Sequence, residues 1–89
     1  NRRRRFNDQV VLGHIYNHQQ TDREAEELAR EDFYTHFHWS QRKMQRVLTR
    51  LRAAQLVQIV GELVQLTDRG EARVRHFRER NLNMTAEAE

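Results

Sequence analysis

The chain has 89 residues, 37% of them hydrophobic and none of them cysteine or proline, which allows one small core held by packing alone, without disulfides or thiolate-bound metal. No run approaches the roughly 18 apolar residues of a membrane span, and no apolar stretch follows Asn1-Arg2-Arg3-Arg4-Arg5 as a signal peptide requires, so a soluble cytoplasmic protein is expected. The 16 basic and 13 acidic residues leave a charge of +3, yet without Arg2–Arg5 the count is 12 against 13, so the body is nearly neutral.

In chain order, Arg2, Arg3, Arg4 and Arg5 read as a basic N-terminal arm over residues 1–5. Asn7 is a good helix N-cap, with Phe6 before it and Val11 placed to complete a hydrophobic staple. Val11, Leu12, Ile15 and Tyr16 then share one face, which predicts a first helix over about Asp8 to Asn17. Thr21-Asp22-Arg23-Glu24 fits the capping box and predicts a second helix, ending between Glu31 and Tyr34, with Ala25, Leu28 and Ala29 as its apolar stripe. Ser40 caps a third helix reaching about Gln55. Met44, Val47, Leu48 and Leu51 line one side of it, and Arg42, Gln45, Arg46 and Thr49 the other.

After Gln55 the period changes from helical to alternating. Val57, Ile59, Val64 and Leu66 alternate with Gln58 and Gln65 around Gly61-Glu62, a two-residue loop suited to a type II′ turn. Counting outward pairs Val60 with Leu63, Ile59 with Val64, Gln58 with Gln65, and Val57 with Leu66. Two apolar pairs then face inward, while Val60 and Leu63 form an exposed apolar patch beside the acidic tip. Thr67 caps a fourth helix over about Asp68 to Arg80, with Val74 and Phe77 as its apolar contacts. Residues 81–89 lack a periodic apolar face and read as a disordered tail. The fold class is mainly α with a small β-hairpin (α+β).

Charge is sorted by position. Residues 40–55 hold Arg42, Lys43, Arg46, Arg50 and Arg52 without an acid, whereas residues 21–32 hold six acids against Arg23 and Arg30. A local cationic field concentrates polyanions whatever the net charge, which makes nucleic acid the first partner to test.

Three separated segments carry a family resemblance. Thr21 to Leu28 is similar to the second helix of a helix-turn-helix. Leu48-Thr49-Arg50-Leu51-Arg52-Ala53-Ala54-Gln55-Leu56-Val57 resembles the end of a winged-helix recognition helix, where a leucine pair is followed by alanine, glycine, leucine, valine. Leu66-Thr67-Asp68-Arg69-Gly70-Glu71-Ala72 resembles the passage from wing to last helix in regulators of the multiple-antibiotic-resistance type. The resemblance covers roughly Phe6 to Phe77. It implies a winged helix-turn-helix domain over residues 6–80, with a three-helix core, a two-stranded wing and a C-terminal helix, and a third helix lying in the major groove of double-stranded DNA. Arginine can fork onto guanine and glutamine onto adenine, so Gln41, Arg42, Gln45 and Arg46 are candidates for base edges, and Lys43, Thr49 and Arg50 for phosphates. Arg2 to Arg5 could follow the backbone as an arm or stand as a solubilising tail.

Three features depart from that pattern. The short hairpin carries Glu62 at its tip, where members that use the wing present Arg or Lys, Val60 and Leu63 pair on its outward face, and the second helix is acidic. The acidic tip and the Val60–Leu63 pair support an alternative: a winged helix serving as a protein-interaction or regulatory module of a larger replication, partition or ATPase protein. A chain starting with Asn1 in place of Met is expected to be either a processed chain or a domain excised from something longer. Val74 and Phe77, fringed by arginines, suggest a homodimer face.

The loop between the second and third helices holds Phe33, Tyr34, Phe37 and Trp39, which read as a corner of the core rather than a stacking platform for bases. His14 and His18 stand at i, i+4, a real ligand spacing, and His36 and His38 could join them from the loop. With no third defined ligand and no cysteine they read as surface residues, so no metal and no cofactor is expected. Three glycines make no phosphate loop, no nucleophile elbow is present, and the clustered carboxylates read as a solvated face, so the domain is expected not to be an enzyme.

Overall fold

The computed structural model describes the backbone of residues 2–88 and the side chains of residues 2–80. Its elements are α1 (Arg2–His18), α2 (Glu24–Glu27), a 3₁₀ turn (Phe33–Phe37), α3 (Gln41–Ala53), β1 (Val57–Val60), β2 (Leu63–Leu66) and α4 (Asp68–Ala88). The chain is thus mainly helical with one antiparallel two-stranded sheet. The tail expected over 81–89 falls outside the residues described at side-chain level.

α1 starts earlier than the sequence suggests. Arginine is a good helix former and neither Pro nor Gly interrupts residues 2–12, so the helix runs through Asn7 instead of starting there. The staple consequently does not form, and Phe6 stands 65% exposed. The arm is helical, and Arg2, Arg3, Arg4 and Arg5 are all exposed on it.

α2 is the larger departure. The predicted long helix is reduced to four residues, and its N-cap is Arg23 without a side-chain cap. Thr21 Oγ1 donates instead to the His18 carbonyl (2.5 Å), closing α1, and the Glu24 carboxylate accepts from the Gln20 N–H (2.7 Å) rather than from Thr21. Beyond Glu27 the backbone is drawn to the sheet. Ala29 bridges Leu63, the Arg30 N–H donates to the Glu62 carbonyl (2.8 Å), and the Val64 N–H donates to the Leu28 carbonyl (2.9 Å). Edge hydrogen bonds to β2 replace those that a longer helix would have made.

From the Ser40 cap to the Thr67 cap the local elements form as expected, whereas α4 runs to Ala88, past its expected end near Arg80. Ser40 has extended backbone angles and its hydroxyl accepts from the Lys43 N–H (3.0 Å). The register is Val57↔Leu66, Gln58↔Gln65, Ile59↔Val64 and Val60↔Leu63. Gly61 adopts φ +60° while Glu62 keeps a negative φ, as a type II′ turn requires. α3 ends with Gln55 left-handed at φ +61°; its N–H donates to the Arg52 carbonyl and the Leu56 N–H to the Leu51 carbonyl, both 2.9 Å. That is the Schellman pattern, with glutamine where glycine is usual. Thr67 caps α4, its hydroxyl accepting from the Gly70 N–H at 3.0 Å.

The core is made of Val11, Leu12 and Ile15 from α1, Leu28, Phe33, Met44, Val47 and Leu51 from α3 and its approach, and Leu56, Val57, Val64, Leu66 and Val74. Tyr34, Phe37 and Trp39 pack partly against it, so the loop aromatics form a core corner. Gln19 adds a polar stitch, accepting the Leu66 N–H (3.0 Å) and donating to Glu71 (2.7 Å), which ties α1 to both β2 and α4. Among the described residues no helix is long and apolar enough to cross a membrane.

Candidate nucleic-acid interface

α3 turns Met44, Val47 and Leu51 into the core, which fixes the direction of everything else on it. Gln41, Arg42, Gln45, Arg46 and Thr49 are exposed, and Arg42 and Arg46 make no ion pair among the described residues. Two of the expected phosphate contacts are instead engaged within the chain. Lys43 Nζ lies 4.3 Å from the centre of the Trp39 ring, and the Arg50 guanidinium pairs with Asp8 of α1 at 2.5 Å. The Asp8 partnership explains why Arg50 is half-buried.

The outer surface of α3 divides into two flanks. On one side Lys43, Arg46 and Arg50 line a cleft with Arg3, Arg4 and Asn7 of α1. Residues that the sequence presents as an arm and as a helix face are thereby joined into one surface rich in cations, with Asp8 paired to Arg50 beside it. On the other side Gln41, Gln45, Thr49 and Arg52 line a groove of about 510 Å³, whose far wall is Arg30, Glu31, Tyr34, Ile59 and Glu62. The groove thus sets Arg30 and Arg52 among two carboxylates, while the cleft is lined by four arginines and a lysine. The convergence of Arg3 and Arg4 on α3 has no signature in the sequence, because the crossing of α1 and α3 is set by the core.

Of the residues assigned to a protein interface, Val60 is 47% exposed and Leu63 is half-buried against the core. Val74 is completely buried, consumed by this chain's own core, and Phe77 packs partly beside it. The apolar contacts of α4 thus point inward. Arg78 reaches back to α1, hydrogen-bonding Asn17 and lying 4.8 Å from the Tyr16 ring centre.

The histidines are less exposed than surface residues. His14 keeps 16% of its side-chain surface, and burial holds its pKa below the ordinary value of 6.5, although a contact with the Glu27 carbonyl at 3.1 Å works the other way. His18 stands beside it on α1, Glu27 approaches from α2 and His36 from the 3₁₀ turn, whereas His38 is exposed. Sequence spacing pointed to the two helical histidines and missed Glu27, which sits in a run of acids and is brought in by the shortening of α2.

Comparison with protein-family models, with curated proteins and with solved structures returns no match.

Proposed function

We propose that this chain is a winged helix-turn-helix domain that binds double-stranded DNA and serves transcriptional control, acting by binding rather than by catalysis. α3 is the element that enters the major groove, the hairpin is the wing, and the cleft between α1 and α3 follows the phosphates. The observation that carries this reading is the exposed, acid-free outer surface of α3 continued by Arg3 and Arg4 of α1. Thirteen helical residues span roughly 20 Å, enough to lie along a groove about 12 Å wide. Gln41, Arg42, Gln45 and Arg46 are the base-edge candidates, and Arg3, Arg4 and Thr49 the phosphate contacts, since Lys43 and Arg50 are held against Trp39 and Asp8. Arginines at the start of α1 add to the positive end of its dipole, a placement that a bound polyanion relieves. The location implied is the cytoplasm, in the nucleoid or nucleus when DNA is bound.

The test is duplex binding as a function of salt. About five neutralised phosphates give a slope of log affinity against log salt near −4 to −5, and Arg42→Ala with Arg46→Ala flattens that slope by one to two units while relaxing sequence preference. Absence of binding at low salt, or binding indifferent to the double substitution, refutes the proposal.

A second reading, a protein-interaction module of a larger protein, draws on exposed Val60 beside Glu62 and on the groove rimmed by Glu31 and Glu62. The rim mixes Glu31 and Glu62 with Arg30 and Arg52, a charge pattern that suits a protein surface of mixed charge better than a duplex. The homodimer reading now rests on Phe77 alone, since Val74 is buried; sedimentation showing only monomer at high concentration removes it.

A further inference from the structure

We propose that His14, His18 and Glu27 form a binding site for a divalent transition-metal ion of the zinc class, with His36 holding the carboxylate from behind. One nitrogen of each imidazole and one carboxylate oxygen of Glu27 lie within 4.8 Å of one another. Ligands about 2.0–2.2 Å from a tetrahedral zinc stand about 3.4 Å apart. The His14 Nε2–Glu27 Oε2 edge is already 3.6 Å, so the site closes by small side-chain rotations. The i, i+4 placement on α1 puts both imidazoles on one side of a rigid element, with ring centres 4.6 Å apart.

The surroundings orient this triad. Glu27 Oε1 is held by Arg23 at 3.1 Å, which leaves Oε2 turned toward the histidines. His36 Nδ1 lies 3.3 Å from the same Oε2, the position of an outer partner that fixes a ligating carboxylate. Phe33 and Phe37 cover His14 from the other side, with ring centres 5.7 and 4.9 Å away, which limits water at the site. Two imidazoles and one carboxylate select a borderline cation over calcium or magnesium, which prefer all-oxygen sets. Ligation by His14 Nε2 exchanges its contact with the Glu27 carbonyl for the metal.

A metal here would link α1, α2 and the 3₁₀ turn. These flank the connection that carries Ser40, so the site fixes the approach to α3 without touching its outer surface. The proposal is independent of DNA binding.

Zinc ion alone is titrated calorimetrically into metal-free protein carrying no histidine tag, and cobalt(II) is followed by visible absorption. Uptake of one equivalent is expected, with the intense visible bands of a four-coordinate cobalt site whose fourth position is taken by water, and a higher unfolding temperature. Glu27→Gln and His14→Ala weaken affinity at least tenfold, and His36→Ala weakens it about tenfold through the carboxylate it orients. His38→Ala and His76→Ala leave it unchanged. Far-ultraviolet circular dichroism confirms that each variant is folded, and Glu27→Gln supplies the decisive case if His14→Ala is not. No stoichiometric uptake at micromolar metal, uptake equal in wild type and Glu27→Gln, or uptake lost with His38 or His76 overturns the proposal.

Discussion

Gly70 and Gly13 both lie inside helices, and replacing each by alanine should move stability in opposite directions. In an unobstructed helix, glycine to alanine gains about 0.8–1 kcal/mol from backbone entropy. At Gly13 a Cβ would meet nothing within 4 Å, so Gly13→Ala should realise most of that gain. At Gly70 the added carbon would lie 2.0 Å from the Leu56 carbonyl oxygen and 3.2 Å from Leu66 Cδ2. The oxygen belongs to the backbone and cannot rotate away. It also accepts the Thr67 N–H at 3.1 Å, so α4 has to move by more than an ångström and weaken that bond. Overpacking of this kind costs about 1–3 kcal/mol or more, which outweighs the propensity gain. For a domain of this size each kcal/mol shifts the midpoint by about 4–8 °C, so Gly70→Ala should lower Tm by several degrees to over ten while Gly13→Ala raises it by a few. Thermal unfolding followed by circular dichroism at 222 nm reads both. Equal stabilisation by the two substitutions would refute the close approach of α4 to Leu56.

Further outcomes follow from other particular contacts. Gln55 holds φ +61° at the end of α3, so Gln55→Gly should stabilise by about 0.5–1 kcal/mol by removing the left-handed Cβ penalty, which denaturant unfolding measures. Asp8→Asn breaks the pair with Arg50, whose side chains are 27% and 34% exposed, and should cost about 0.5–1 kcal/mol. It also removes a carboxylate beside the cationic cleft, so duplex affinity at fixed low salt should rise severalfold; a fall would remove the cleft from the DNA-binding path. Burial depresses the pKa of His14 in the folded state, so below its ordinary value of 6.5 the unfolded chain binds the proton more readily and stability is lost as pH falls through that value. His14→Gln should flatten Tm between about pH 7.5 and 5.5 relative to wild type.

What was legible and what was not divides along the reach of the interactions. Ser40 as a cap, the inward face Met44–Val47–Leu51, all four hairpin pairs and the Thr67 cap depend on residues within a few positions of one another, and local pattern suffices for them. The Thr21-Asp22-Arg23-Glu24 box was equally clear as a pattern and did not form. His18 and Gln20 competed for its hydroxyl and carboxylate, and Glu62 and Val64 claimed the backbone of Arg30 and Leu28, partners more than thirty residues away.

The candidate sites follow the same rule. Helical periodicity in the sequence alone assigned Arg42, Gln45, Arg46 and Thr49 to the outer side of α3, because apolar residues on the opposite side had only the core to go to. Only the packed molecule could bring Arg3 and Arg4 against Lys43 and Arg46, tie Arg50 to Asp8, bury Val74, and carry Glu27 and His36 to His14 and His18. Those meetings depend on how helices cross, which is set by the summed burial of many apolar side chains and leaves no trace in the spacing of the polar residues it brings together.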